Sequence, residues 1–155
     1  MIVFLDTGIL GLVASPNNTG EAKECKDWLY GLLARSVYVL TSDICDYEVR
    51  RGLLLASLSN PTVQGIQNLD ILPEVIDFLP LTKMVMKEAA NLWAQAHSQG
   101  IQTADNKNID ADMIICAQAK VLQAENPGQY IVIASTNTKH LKLFTEAKEW
   151  RDIKF

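Results

Sequence analysis

Four stretches of this chain put acids, hydroxyls or an amide beside apolar runs. The first is Asp6-Thr7-Gly8, which follows Met1-Ile-Val-Phe-Leu5 without a break. A short apolar run of this kind reads as a buried parallel strand, and polar groups at its carboxyl end stand where open α/β sheets hold their ligands. The same Asp-Thr pair also suits an ordinary helix N-cap. The second is Glu48, which helical spacing puts on one face with Ile44 and Leu55, so a carboxylate interrupts an apolar stripe. Such an acid either pairs with Arg51, three residues on, or faces a metal ion. Asp46, four residues before Arg50, reads instead as half of a surface ion pair.

The third stretch is Asn108-Ile-Asp110-Ala-Asp112-Met-Ile-Ile-Cys-Ala117, in which two acids open an apolar helix. Acids in a first turn are favoured by the helix dipole whatever else they do. Residues two apart on a helix point roughly 200° from each other, so Asp110 and Asp112 do not both face one ion from within it. Asp112 runs directly into Met113-Ile-Ile, which packs on the sheet, and is the expected ligand; Asp110 is expected to cap the helix or stand behind the ligands. The fourth is Ser135-Thr136-Asn137-Thr138 after a strongly apolar strand, where hydroxyls and an amide either cap a helix or orient a water or phosphate. Oxygen donors without His or Cys suit a hard cation, Mg²⁺ or Mn²⁺.

Positioning these groups takes alternating strands and helices. Strands are expected at 1–5, 37–41, 78–82, 130–134 and, weakly, 150–153. Helices are expected at about 9–13, 21–33, from a Ser42 or Asp43 cap to 57, from Asn60-Pro61 to 70, at 83–99, 109–123 and 139–144. Pro80 argues that the third strand is short or at a sheet edge. The alternation predicts a three-layer α/β/α sandwich with a mostly parallel sheet and a site at the carboxyl edge of its strands. With 155 residues, 48% of them hydrophobic, the chain is read as one domain, 1–155. The net charge of −4 leaves no global basic footprint for nucleic acid, so such a partner needs local cations or a bound metal ion. Cys25, Cys45 and Cys116 have no paired metal spacing and read as reduced core thiols, which points to the cytoplasm. No apolar run is long enough to span a membrane.

Taken together, Asp6-Thr7, Glu48 within Tyr47-Glu-Val-Arg-Arg-Gly52, Asp112 within Asp110-Ala-Asp-Met-Ile-Ile-Cys-Ala-Gln-Ala119, and Ser135-Thr-Asn-Thr-Lys-His140 resemble the PIN-domain family, particularly its VapC-like toxin members. The resemblance covers nearly the whole chain. It implies a metal-dependent ribonuclease in which Asp6, Glu48 and Asp112 hold Mg²⁺ or Mn²⁺ and Thr136 or Asn137 orients a water or the scissile phosphate, with Thr7 behind the ligands. It further implies a small antitoxin that occludes the site, and a homodimer. Many PIN domains carry a fourth acid where this chain has Asn137, although Asn is common there in VapC-like members; an amide adds no charge toward a second metal. Asp105, in Thr103-Ala-Asp105, is similar to the stretch before the last acid and is expected to order that loop or support the ligands.

Arg50, Arg51, Lys107, Lys139 and Lys142 are candidate phosphate contacts. His97 and His140 have no assigned role, and His140 reads as a helix-surface residue. Trp28, Trp93 and Trp150 read as core. Two rivals share parts of the pattern: a catalytically silent PIN-like module that binds RNA or protein, and a phosphoacceptor receiver domain, which also gathers acids at the carboxyl edge of a sheet.

Overall fold

The structure, a computed structural model, describes residues 1–61, 64–105 and 110–155. In chain order it contains β1 (Ile2–Leu5), α1 (Thr7–Ala14), α2 (Gly20–Ala34), β2 (Tyr38–Ser42), α3 (Asp43–Ser59), α4 (Gln64–Ile71), β3 (Asp77–Leu79), α5 (Lys83–Ser98), α6 (Ala111–Glu125), β4 (Ile131–Ser135) and β5 (Ala147–Glu149). All five strands are parallel, in the order β3-β2-β1-β4-β5. Right-handed crossovers then put α1 to α4 on one face and α5 and α6 on the other. The packing agrees: α1 lies against α2, α3 and α4, and α5 lies against α6.

The centre of the sheet is apolar throughout. Val3, Phe4 and Leu5 of β1 and Val132, Ile133 and Ala134 of β4 are fully buried, as a parallel sheet covered on both faces requires. Helix α6 is inaccessible from Met113 to Ala119, sandwiched between the sheet and its neighbours. The chain leaves β1 toward β2 on one side, while β4 pairs with β1 from the other. The crevice between the carboxyl ends of β1 and β4 is therefore the topological switch point, where open α/β sheets bind ligands. A receiver domain has the order 2-1-3-4-5, so the order seen here removes that rival. No helix among the described residues is long and apolar enough to cross a membrane.

Several sequence expectations are corrected. The last strand is Ala147–Glu149, and the segment read as a strand, 150–153, begins with a 3₁₀ turn at Trp150–Asp152. The apolar character there serves the core instead: Trp150 packs on Trp28 with ring centroids 5.5 Å apart, and the Trp28 indole N–H donates to the Ile153 carbonyl. The helix expected at 139–144 is a single 3₁₀ turn, Leu141–Leu143. Leu55 does not extend the buried stripe of α3; it is 69% exposed. The expected start at Asn60-Pro61 precedes α4, which runs from Gln64, and residues 62 and 63 lie outside the described residues, as does the expected helix start at Ile109. β3 is short and at the edge, as Pro80 predicts.

Candidate active site

Asp6 is both the first residue after β1 and the N-cap of α1. Its Oδ1 accepts from the Thr7 backbone N–H at 2.6 Å, and its Oδ2 accepts from the Ser135 hydroxyl, also at 2.6 Å, across the β1–β4 crevice. Thr7 then turns its own hydroxyl to Glu48, donating to Oε1 at 2.7 Å, while Arg51 lies 3.4 Å from Oε2. The ion pair and the site-facing carboxylate are thus one arrangement. Asp110 is the N-cap of α6: Oδ1 accepts from the Met113 N–H at 3.2 Å and Oδ2 accepts from the Thr103 hydroxyl. Asp112, in the first turn of that helix, has His140 Nδ1 at 3.4 Å from Oδ2. The Ser135 hydroxyl also accepts from the Asn137 N–H at 2.9 Å, which ties the segment after β4 to Asp6.

These side chains line one open cavity of about 360 Å³, walled by Asp6, Thr7, Gly8, Glu48, Thr103, Ala104, Asp110, Ala111, Asp112, Thr136 and Asn137. Of the residues expected at the site, Asp6, Thr7, Glu48, Asp110, Asp112, Thr136 and Asn137 are all there. Asp105 is exposed in the loop that follows Thr103 and Ala104, both of which line the cavity. Arg50 is withdrawn from the candidate phosphate contacts: it is bonded to Asp46 at 2.9 Å and to Asp70 at 2.8 Å. Lys107 lies outside the described residues; Lys139 and Lys142 are exposed.

The electrostatics are those of crowded, half-buried acids. Burial raises the Asp6 carboxyl above its ordinary range, with the Glu48 charge adding to it and the Ser135 and Thr7 hydrogen bonds opposing it. Burial also pushes Asp112 up to about 6, helped by the charges of Asp6 and Asp110 and opposed by His140. The N-termini of α1 and α6 both open onto the cavity, and their dipoles offset part of the repulsion. The three cysteines are buried and free, and burial pushes their thiols up to about 12, so none is a ready nucleophile.

No protein-family model and no curated protein matches the sequence. Solved structures do match. A chain of VapBC2 from Rickettsia felis, crystallised with a DNA fragment from the promoter, shares 20% identity over 96% of this chain and 98% of its own, with a TM-score of 0.67. A chain of VapBC-1 from nontypeable Haemophilus influenzae shares 18% over 98% of this chain and all of its own, with a TM-score of 0.68. FitAcB from Neisseria gonorrhoeae matches at 20% identity over 97% and 99%, with a TM-score of 0.63. The fold is that of a PIN domain.

Within this PIN fold, the donor set fits a hard, well-hydrated cation. Every carboxylate on the cavity wall offers oxygen, and Asp6 and Asp112 are raised first by burial and further by the charges of their acidic neighbours. Among the described residues no three acids converge into a ready-made cage.

Sequence reasoning missed three participants. Gly8 lines the cavity beside Thr136, where a Cβ would meet the threonine hydroxyl at 3.4 Å, an ordinary van der Waals contact. Thr103 was passed over for its acidic neighbour. His140, read as helix surface, lies beside Asp112 with its side chain 23% exposed. The signal for His140 is the next residue, Leu141, an apolar anchor that only the folded packing explains. Trp28 and Trp150 are core as expected, while Trp93 is half-buried and stacks on His97 at 3.8 Å.

Proposed function

We propose that this chain is a Mg²⁺- or Mn²⁺-dependent endoribonuclease and the toxin of a toxin–antitoxin pair, acting in the cytoplasm. The observation that carries the proposal is the single cavity at the β1–β4 switch point of a PIN fold, walled by Asp6, Glu48, Asp110 and Asp112 together with Thr136 and Asn137. The likeness to chains of VapBC complexes and to FitAcB supports the toxin role and a small antitoxin partner.

In this reading Asp6, Glu48 and Asp112 hold the cation, which when bound supplies Lewis-acid activation of a water and screens charge developing on phosphorus. The chain's own residues do the remaining work. Ser135 and Thr7 fix both oxygens of Asp6, and Thr7 also fixes Glu48, so two carboxylates from different elements share one hydroxyl-bearing residue as their brace. Thr136 and Asn137, on the exposed side of the cavity, offer a hydroxyl and an amide to the phosphate or the attacking water. Asp110 caps α6 and so sets the direction of Asp112.

The silent-module reading has one observation in its favour, that no three acids converge among the described residues. A cleavage assay separates the two. The purified chain should cut a single-stranded RNA when Mn²⁺ is added and stop on chelation, and Asp6→Asn should be inactive while folded. RNA bound by the folded parent but left intact at saturating Mn²⁺ would establish the silent module.

A further inference from the structure

The four acids of the cavity are not held alike. Asp6, Glu48 and Asp110 each have contacts at both carboxylate oxygens, from Thr7 and Ser135, from Thr7 and Arg51, and from Met113 and Thr103 respectively. Asp112, among the described residues, has His140 beside one oxygen, with Nδ1 at an ion-pair distance of 3.4 Å from Oδ2. A carboxylate with one fixed oxygen has a defined orientation and one oxygen left for a ligand, and a carboxylate with none would be free to rotate out of the site.

The fold explains why His140 is there. Leu141 is fully buried, and its carbonyl accepts from the Thr145 hydroxyl at 2.8 Å and lies 3.7 Å from the Cys116 thiol. Cys116 is four residues after Asp112 on α6 and so lies below it on the same face. Seating Leu141 against Cys116 therefore carries the preceding residue up to the first turn of α6. The contact links the segment after β4 to the helix that supplies Asp112, just as Ser135 links that segment to Asp6.

We infer that His140 is a positioning residue for Asp112, its Nδ1–H fixing Oδ2 so that the other oxygen serves the cation. The inference rests on the cation-site reading above, and it concerns geometry at one nitrogen. Asn places an amide nitrogen at the same distance along the side chain as Nδ1, whereas Gln places it where Nε2 would be. The identity of the rescuing amide thus reports which ring nitrogen acts.

The test is calorimetric titration of Mn²⁺ into the parent, His140→Ala, His140→Asn and His140→Gln, with thermal melts to confirm folding. Loss of a group that orients a metal-binding carboxylate weakens affinity by about 10–100-fold. His140→Ala and His140→Gln should fall in that range, and His140→Asn should stay within about threefold of the parent, a margin well below it. Parent-like affinity in His140→Ala, or rescue by Gln and not by Asn, would overturn the inference and leave the cation site intact. A parent that binds no Mn²⁺ overturns both. A parent that binds Mn²⁺ with the expected variant order but cuts no RNA upholds His140 and contradicts only the nuclease reading.

Discussion

Asp112 carries the most testable electrostatics in the molecule. Its carboxyl is raised from 3.8 to about 6, first by burial and then by Asp6 and Asp110. Between those values the native state holds a proton that the unfolded chain has lost, so this group's stabilising effect is present below about pH 4 and is lost as pH rises through about 6. Asp112→Asn, which keeps an acceptor for His140, should remove that dependence. After discounting for a side chain about one-third exposed, the variant should be about 1–2 kcal/mol more stable than the metal-free parent at pH 7, with the difference vanishing near pH 4. Urea melts across that range check it. Asp110 answers differently, because it is a cap: Asp110→Ala should cost roughly 1 kcal/mol and retain partial cleavage, whereas Asp112→Ala should abolish cleavage. Asn137 bears on the number of charges. Asn137→Asp adds a carboxylate to the cavity wall and should tighten Mn²⁺ binding in a calorimetric titration; unchanged affinity would leave Asn137 as a neutral part of the wall. Asp6, Asp110 and Asp112 were legible in the sequence because each sits at the end of a strand or the start of a helix, and Glu48 because it interrupts the apolar stripe of α3. His140 was not, because its partner Asp112 comes from a distant element, and Arg50 was legible only in part: its pair with Asp46 is local, whereas Asp70 is brought to it only by folding.

The elements that hold these residues differ in how much of their identity is local. β1 and β4 are continuous apolar runs and α6 is a long apolar helix opened by acids, so sequence and structure agree on them to within one or two residues. β5 could not be read that way. Ala147-Lys-Glu has no apolar alternation and becomes a strand because β4 offers it an edge, with Ile133 opposite Ala147. The aromatic residue just after it, Trp150, drew the strand expectation to the wrong place; its burial comes from packing on Trp28. β1 is the central strand, flanked by β2 and β4, and Phe4 is fully inaccessible. Phe4→Ala should therefore cost about 3–5 kcal/mol. Denaturant unfolding measures it, and a loss under 1 kcal/mol would mean that the sheet centre is looser than its packing indicates.

At the scale of the whole molecule, an anionic protein presents an acidic cavity to what is proposed to be a polyanionic substrate. The net charge of −4 and the four carboxylates on the cavity wall oppose RNA binding unless positive charge is supplied at the site. A divalent cation resolves the conflict, and the fold supports that reading by placing all four acids around one switch point. The central claim is that Asp6, Glu48 and Asp112 form one cation site. Isothermal titration of Mn²⁺ into the parent, Asp6→Asn and Asp112→Asn tests it most directly. Asn preserves the N-cap at Asp6 and the shape at both positions, so folding is retained. The account predicts saturable binding in the parent and affinity at least about tenfold weaker in each variant. Equal Mn²⁺ affinity in all three proteins would contradict it.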